Sequence, residues 1–311
     1  MNKANKALTR NYKRLVLAVL LFLTALFILL YYYIEAKKLT FLESSANLGE
    51  VSRQMSESIE QQCEDRWKAL DMLSRYLCDA GDDPEAENRF IEQAQLQWGF
   101  DSLCLVDKDS TYYDNEREFS MLTQKDVTER LIAGRERIIL DDVIYGDTRQ
   151  MIFLLPVDNL IIQGHEFQAV GLRYGSGNIF DILSIGAFGG QSDLYITYKD
   201  GTTLYRSAHG AGIDGYNLFN SLEPYIFTEG SVQELRDGWS GDGSLLTVRW
   251  EGGLYYINQM PIDVGDWQLV MMVPVSAVSG SMNRFSRLSG LCLGAVAALL
   301  LAAVALFYTD F

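Results

Sequence analysis

"LVDKDSTYY" (residues 105–113) and "ITYKDGTTLY" (residues 196–205) are two versions of one pattern. In each, an apolar run leads into Lys-Asp, then a small residue, a threonine and aromatic residues. Apolar runs separated by such a polar break are typical of two β-strands joined by a tight turn. Gly201 stands in the second version where the first has Ser110, and glycine is favoured in hairpin turns. Both stretches therefore predict a β-hairpin.

Two further pairs of stretches repeat in the same order. "LLPVD" (154–158) matches "QMPID" (259–263), and "EFQAVGLRY" (166–174) matches "DWQLVMMVP" (266–274). The three pairs are offset by 91, 105 and 100 residues, and insertions of loop size explain these differences. An internal repeat of this kind indicates two copies of one antiparallel-sheet module in tandem.

The acidic residues around the first hairpin also suggest a calcium loop. Counting from Asp107, the stretch places Asp109 at position 3 and Glu118 at position 12 of an EF-hand loop. Position 6 is Tyr112, however, and the sharp bend at that position needs glycine. A turn between strands is therefore favoured over a calcium site, and the sequence predicts no metal site.

Two segments have the length and hydropathy of membrane spans. Leu15–Ile34 and Leu288–Tyr308 contain 20 and 21 residues without a charge, which is enough to cross a bilayer as helices. Basic residues precede the first segment, which predicts a cytoplasmic N-terminus and an extracytoplasmic segment 35–284. The apolar run is too long for a cleaved signal peptide, so an uncleaved anchor in the plasma membrane is favoured. The basic residues are Lys3, Lys6, Arg10, Lys13 and Arg14.

The charge of segment 35–284 excludes one class of partner. It carries 20 basic and 40 acidic residues, a net charge of −20. So acidic a segment will not bind nucleic acid or anionic lipid through charge.

Catalytic motifs are missing from the sequence. The chain has two histidines, His165 and His209, and no nucleophile elbow, phosphate-binding loop or zinc-protease motif. We therefore predict no catalytic residue and no cofactor. An anchored extracytoplasmic enzyme or adhesion module remains the alternative, because carboxylates are plentiful.

Helical and strand patterns divide the outer segment. An apolar stripe from Leu48 to Leu77 predicts one long amphipathic helix ending at residue 79, and Pro84 is placed to begin a second helix. Short strands follow, including "SVQELRDGW" (231–239), with a helix predicted over "GSGNIFDILSIGAF" (175–188). Cys78 and Cys104 are compatible either with a disulfide or with buried thiols.

This organisation resembles the double-Cache sensor domains of bacterial membrane signal transducers. The resemblance implies an α+β fold: a long N-terminal helix plus two tandem PAS-like antiparallel-sheet (Cache) modules, flanked by two transmembrane helices. The residues that carry it are "LCLVDKDSTYY" (103–113), "DDVIYGDTRQMIFLLPVD" (141–158), "AVGLRYGS" (169–176), "LYITYKDGTTLYRS" (194–207) and "YYINQMPIDVGDWQLVMMVPVS" (255–276).

The resemblance also assigns the parts of the chain. The predicted parts are a cytoplasmic tail (1–14), a first span (15–34), a membrane-rising helix (35–80), a membrane-distal module (81–190), a membrane-proximal module (191–283), a second span (284–308) and the start of a cytoplasmic part (309–311).

A small-molecule pocket in the distal module is implied by the same resemblance. Many members hold a ligand amine with an aspartate on the last distal strand, where this chain has Arg173. The Arg-x-Trp-Tyr pattern of the amine-binding members is replaced by "EREFSMLTQ" (116–124). An anionic or neutral ligand is therefore favoured over an amine, although Arg173 and Arg149 pairing with acids such as Asp147 is an equal alternative. The candidate ligand-binding residues are Tyr113, Arg117, Tyr145, Arg149, Phe153, Arg173 and Tyr174.

These features predict the ligand-sensing region of a bacterial receptor. A conformational change would pass through the second span to a cytoplasmic output, such as a histidine kinase, a diguanylate cyclase or a chemoreceptor module, that this chain lacks. We expect the chain to be a fragment of such a receptor and to form a homodimer. Gly290 and Gly294 form a Gly-x-x-x-Gly motif that permits close approach of two spans.

Overall fold

The computed structural model describes residues 2–79, 84–109, 111–114, 117–120, 127, 129–145, 148–162, 164–175, 187–207, 213, 215–238 and 245–278, together with six positions between 290 and 301. The chain divides into two compact units. One contains Met1–Gly49 and Pro274–Phe311, and the other contains Glu50–Val273. Both sheets, apart from Pro274 at the end of the last strand, and all residues discussed below as sites belong to the second unit.

Two long helices open the fold. Helix α1 runs over Asn2–Asp79 and helix α2 over Pro84–Trp98. The predicted helix end at residue 79 and the predicted start at Pro84 are both present, because proline fits the first turn of a helix, where no backbone donor is needed. The apolar stripe of α1 faces inward. Its fully or nearly buried members after Gly49 are Ile59, Cys63, Trp67, Leu70, Leu73 and Leu77.

The first sheet contains six strands in the order β3-β2-β1-β6-β5-β4. All neighbouring strands are antiparallel. A π-helical turn at Glu129–Ala133 lies between β3 and β4 in the chain. The strands are β1 (Ser102–Asp107), β2 (Thr111–Asp114), β3 (Arg117–Ser120), β4 (Ile138–Tyr145), β5 (Thr148–Ile162) and β6 (His165–Gly175).

The second sheet also contains six strands, in the order β8-β7-β12-β11-β10-β9. Three short helices lie at Leu218–Leu222, Val232–Arg236 and Val275–Val278, and a turn with left-handed residues lies at Ala187–Gly190. The strands are β7 (Asp193–Tyr198), β8 (Thr203–Arg206), β9 (Ile226–Glu229), β10 (Leu246–Trp250), β11 (Gly253–Ile262) and β12 (Trp267–Pro274).

The two sheets have the same core topology. In each, the first strand pairs with a hairpin partner on one side and with the last strand on the other. The turns at Lys108-Asp109 and Lys199-Asp200 occupy equivalent places, as the repeat predicts. In both turns an aspartate side chain accepts a backbone N–H two residues ahead at 2.8 Å, from Asp109 to Asp107 and from Thr202 to Asp200. The predicted hairpins are therefore confirmed.

A bulge adjusts the predicted alignment of the last strands. Phe167 pairs with Asp107 and Ala169 with Val106, so β6 has one extra residue where β12 has none. The offset between the two strands is consequently 100 residues before the bulge and 99 after it. Beyond the bulge, Arg173 of β6 corresponds to Met272 of β12.

Three further sequence predictions concern a strand, a helix and a pair of cysteines. "SVQELRDGW" is not a strand: Val232–Arg236 is a helix that begins after Ser231 and buries Leu235, because its apolar residues are spaced by three and do not alternate. The helix predicted over 175–188 lies largely outside the described residues. No disulfide joins Cys78 to Cys104; both are thiols, Cys78 exposed and Cys104 buried.

The predicted membrane spans are not confirmed. Within the described part of the chain, no helix has the combined length and hydropathy that a bilayer crossing requires. Leu15–Ile34 forms part of α1, and most of 288–308 lies outside the described residues. The domain boundaries predicted from the resemblance likewise stay predictions.

Candidate functional site

Helix α1 packs on one face of the first sheet through aromatic contacts. The ring centroids of Trp67 and Phe153 are 4.9 Å apart at a steep angle. Arg66 places its guanidinium carbon 4.8 Å from the centroid of the Tyr174 ring and donates a hydrogen bond to the carbonyl of Trp98 at 3.3 Å. The sheet face that carries Phe153 and Tyr174 is therefore a helix-covered core.

The same helix contacts the second sheet through polar groups. Asn258 donates a hydrogen bond to the Ser52 hydroxyl at 2.8 Å, and Ser56 donates to the Pro261 carbonyl at 2.7 Å. Earlier residues of α1 thus contact the second sheet, and later residues contact the first. A shift of α1 along its axis would therefore change its contacts with both sheets.

Three of the predicted pocket residues lie on the helix-covered side of the first sheet. Phe153 and Tyr174 are fully buried, with ring centroids 5.8 Å apart. Burial raises the pKa of Tyr174 to about 12, although the nearby Arg66 charge opposes that rise. Tyr113 pairs with Leu105 and donates a hydrogen bond to Asp107 at 3.3 Å. Phe153 and Tyr174 therefore pack the core between sheet and helices, whereas Tyr113 is half-buried.

Arg173 lies on the opposite face. Side chains alternate between the two faces of a strand, so Arg173 cannot share a face with its neighbour Tyr174. The register pairs Arg173 with Ser102 on one side and with Ile152 on the other, and directly paired residues point the same way. The predicted set is thus split between the two sides of the sheet.

An apolar cluster covers most of the face that carries Arg173. It contains residues of the sheet and of the π-helical turn: Cys104, Val106, Tyr112, Leu131, Ile138, Ile152, Leu154 and Ala169. At the end of this cluster the face becomes polar, with Arg173 and Gln150 each 8% exposed and Ser102 3% exposed. We call Ser102, Gln150 and Arg173 the polar row.

The polar row can recognise an anion. A buried guanidinium offers several N–H donors in one plane, which suits carboxylate or phosphate. The Ser102 hydroxyl is buried and has no hydrogen-bond partner among the described residues. A buried hydroxyl without a partner costs free energy, so a bound group that pairs with it would be stabilised.

The remaining predicted residues lie where side chains are not described. Arg117, Tyr145 and Arg149 occupy strands β3, β4 and β5, and their backbone positions alone are given. Asp147, the acid weighed as a partner for the arginines, also lies outside the described residues.

Ser102 and Gln150 are not among the site residues predicted from the sequence. Both are on the face of Arg173, Ser102 by direct pairing and Gln150 by standing two residues before Ile152 on β5. Strand alternation by itself places Gln150 on the same sheet face as Ile152. Neither residue could be set beside Arg173 without the pairing of β1, β6 and β5.

An open groove of about 250 Å³ lies near the end of α1. Both arginines that line it have acidic partners: Arg75 contacts Asp71 at 2.8 Å, and Arg135 contacts Asp158 through two hydrogen bonds of 2.7 and 2.8 Å. The charges of both arginines in this groove are therefore already paired with acids. Its lining residues are Ser74, Arg75, Cys78, Asp79, Arg135, Pro156, Val157 and Asp158.

The chain is similar to known proteins in its fold. No family model matches the sequence, and no curated protein matches it significantly. The fold is similar to the ligand-binding domain of the Pseudomonas aeruginosa amino acid chemoreceptor PctB in complex with L-Arg, with a TM-score of 0.52 and 15% identity, covering 74% of this chain and 94% of that one.

Two further structures show the same similarity. The ligand-binding domain of the Pseudomonas fluorescens chemoreceptor CtaA in complex with L-serine has a TM-score of 0.52 and 14% identity, covering 74% of this chain and 96% of that one. The ligand-binding domain of the Campylobacter jejuni chemoreceptor Tlp3 in complex with 4-methylisoleucine has a TM-score of 0.53 and 6% identity, covering 77% of this chain and 94% of that one. At identities this low, the structural similarity shows a shared fold and nothing more.

Proposed function

We propose that this chain, which has the fold of the Cache-type ligand-binding domains of bacterial chemoreceptors and histidine kinases, is the extracytoplasmic small-molecule sensor of a membrane signal transducer. The observation that carries the proposal is the buried polar row at the end of an apolar sheet face. Apolar walls with a few placed polar groups are the usual composition of a small-molecule site.

The ligand carries an anionic group in this proposal. Arg173 supplies the positive charge, and Ser102 and Gln150 supply neutral hydrogen-bonding groups beside it. The structurally similar chemoreceptor domains bind L-Arg, L-serine and 4-methylisoleucine. Amino acids carry a carboxylate as well as an ammonium, so a zwitterion held through its carboxylate is compatible with Arg173. A ligand recognised through an amine in this site is not.

Signalling follows from the position of α1. A ligand at the polar row would act on α1 through the sheet, whose other face packs on Trp67, and α1 also contacts the second sheet at Ser52 and Ser56. A change of about 1–3 kcal/mol in the balance between two packings is enough for a receptor to respond. The last strand, β12, leads directly to Val275–Val278 and towards the second predicted span.

Anchoring is part of the proposal. The uncharged segments 15–34 and 288–308 and the basic N-terminal residues support a two-pass plasma-membrane protein with segment 35–284 outside. The chain would act as a homodimer and pass its signal to a cytoplasmic output module. No catalytic role is assigned to it.

The experiment is calorimetric titration of the full chain in lipid nanodiscs. The ligand panel pairs each carboxylate with an amine of matching size and includes L-Arg and L-serine. We expect saturable binding of a carboxylate-bearing compound, weakened about tenfold or more by Arg173→Met, since a hydrogen bond to a charged group contributes about 1.5–3 kcal/mol. Methionine is the residue of the equivalent position, Met272.

The matched control is Arg249→Met, because Arg249 is an exposed arginine on a strand of the other sheet. It should leave binding unchanged. Strong binding of an amine without a carboxylate that survives Arg173→Met would refute the assignment of the ligand class. If the chain had an enzymatic activity and kept it after removal of both predicted spans, the anchored-enzyme alternative would be favoured instead.

A further inference from the structure

The second sheet carries a buried acid at the position equivalent to Ser102. Ser102 and Asp193 each lie six residues before the lysine of the shared Lys-Asp turn, and each pairs with the last strand of its sheet. Asp193 pairs with Met272, the counterpart of Arg173. The first sheet therefore has a cation in this row, and the second sheet has an acid.

Asp193 is almost completely enclosed. It is 5% exposed, and within the described residues its carboxylate forms no hydrogen bond and no ion pair. Burial raises the pKa of Asp193, and the charge of Arg206 opposes that rise without cancelling it. A carboxylate in so closed a position favours a positively charged hydrogen-bond donor beside it.

Aromatic residues lie on the same sheet as this carboxylate. Tyr195 follows on the same face of β7, and its hydroxyl accepts the backbone N–H of Ile213 at 2.7 Å. Burial raises the pKa of Tyr255 on β11, and the negative charges of Asp193 and Glu251 raise it further. The ring of Trp250 lies 5.2 Å from that of Tyr255.

This combination matches one class of ligand. A carboxylate next to aromatic rings suits an organic ammonium, whose charge pairs with the acid and whose apolar part contacts the rings. A calcium ion takes about six to eight oxygen ligands, and one carboxylate supplies at most two. The apolar cluster of the second sheet, which includes Tyr195, Trp250 and Met272, lies on the same face as Asp193, because Asp193 pairs directly with Met272.

We propose that the second sheet contains a binding site for a small organic ammonium, with Asp193 as its anionic anchor. The site is separate from the polar row of the first sheet and has the opposite charge preference. It goes beyond the proposed function, because it gives the chain a second ligand class on its second sheet.

The test uses the full chain in nanodiscs with n-butylammonium chloride as the probe. Sodium chloride at equal ionic strength controls for salt, and 1-butanol controls for partitioning of the alkyl group into lipid. We expect butylammonium to raise the melting temperature of the wild-type protein in a saturable way, since a ligand that binds the folded state stabilises it. Butanol should not.

Variants separate the site from nearby charges. Asp193→Asn should weaken butylammonium binding about tenfold or more, equivalent to about 1.4 kcal/mol. Glu251→Gln is the matched control, because Glu251 is an exposed acid whose charge also reaches Tyr255. It should bind the probe as the wild type does. The carboxylate titration of the same wild-type protein is scored separately, so failure of carboxylate binding and failure of butylammonium binding are distinguishable.

A pH series on the wild type keeps the test decisive if Asp193→Asn does not fold. Binding of butylammonium should weaken as the pH falls through the raised pKa of Asp193 and the carboxylate becomes neutral. Equal melting shifts in wild type and Asp193→Asn would overturn the proposal. So would the absence of a shift in the wild type, or binding that does not change with pH.

Discussion

Trp67 of α1 meets Phe153 of β5 edge-to-face, with ring centroids 4.9 Å apart. Phe153 is fully buried, and its ring also meets Tyr174 of the next strand. This contact holds α1 against strand β5 of the first sheet. It also explains why two residues predicted to line a pocket belong to the core between helix and sheet.

Replacing Trp67 tests the strength of that attachment. We expect Trp67→Ala to lower the free energy of unfolding by about 3–5 kcal/mol, because a large buried ring is lost and a cavity remains. Chemical denaturation of the full chain measures the change. Met72→Ala, on the exposed side of the same helix, should change stability little. Similar losses in the two variants would show that the helix is not held at Trp67.

A buried hydroxyl in the second sheet offers a stabilising change. Thr197 is fully buried, and its hydroxyl oxygen has no hydrogen-bond partner among the described residues. Thr197→Val keeps the shape and removes the buried polar atom, so we expect stability to rise by about 1 kcal/mol. A rise in melting temperature of roughly 2–4 °C is the expected result for a chain of this size.

Thr228→Val is the control for that substitution. Thr228 is exposed and donates a hydrogen bond to the carbonyl of Thr247 at 3.3 Å, so its replacement should be neutral or slightly destabilising. If Thr197→Val lowers the melting temperature, the hydroxyl has a partner such as a buried water, and the explanation given for it is wrong.

Gly201 in the second hairpin combines two constraints. Its backbone has φ of +85°, and an added Cβ would lie 2.4 Å from a ring carbon of Phe219. Gly164 has φ of +78° with nothing within 4 Å of the added atom. Gly164→Ala should therefore cost about 1–2 kcal/mol for the left-handed backbone. Gly201→Ala should cost about 1–3 kcal/mol more through overpacking.

Unfolding curves of the two alanine variants, measured side by side, give the difference directly. Equal losses would mean that Phe219 moves aside without penalty. A larger loss for Gly164→Ala would contradict the described packing around the second hairpin.

The ion pair between Arg135 and Asp158 should be visible in a pH titration. Hydrogen bonds from Arg135, and then its charge, hold the pKa of Asp158 below its ordinary value. A lowered carboxyl pKa contributes stability above the ordinary value, and that contribution is lost as the pH falls through the lowered one. Both side chains are exposed, so the effect on stability is small and decreases with salt.

NMR titration of the carboxyl carbons checks this. Arg135→Gln should raise the pKa of Asp158 towards its ordinary value. Asp266, whose pKa is lowered by Lys199, serves as the internal reference and should titrate as before. An unchanged Asp158 would show that the ion pair does not persist in solution.

Local sequence patterns were sufficient for much of the fold. The end of α1 and the start of α2 follow from the apolar stripe and from Pro84, and the hairpins follow from the Lys-Asp turns and their flanking strands. These features depend on residues close together in the chain, where backbone preference and side-chain period act directly. The short helix at Val232–Arg236 was missed because five residues are too few for a helical period to stand out from an apolar strand.

The sequence by itself determined that the chain contains two copies of one sheet module after a long amphipathic helix, because repeats and periodicity are written along the chain. The tertiary structure decided which face of each sheet is covered by α1. It thereby separated Arg173 from Phe153 and Tyr174, and it placed Ser102 next to Arg173 and Asp193 next to Met272. Strand pairing and register set these neighbours between residues about 70 to 80 positions apart, a distance over which alternation along one strand carries no information.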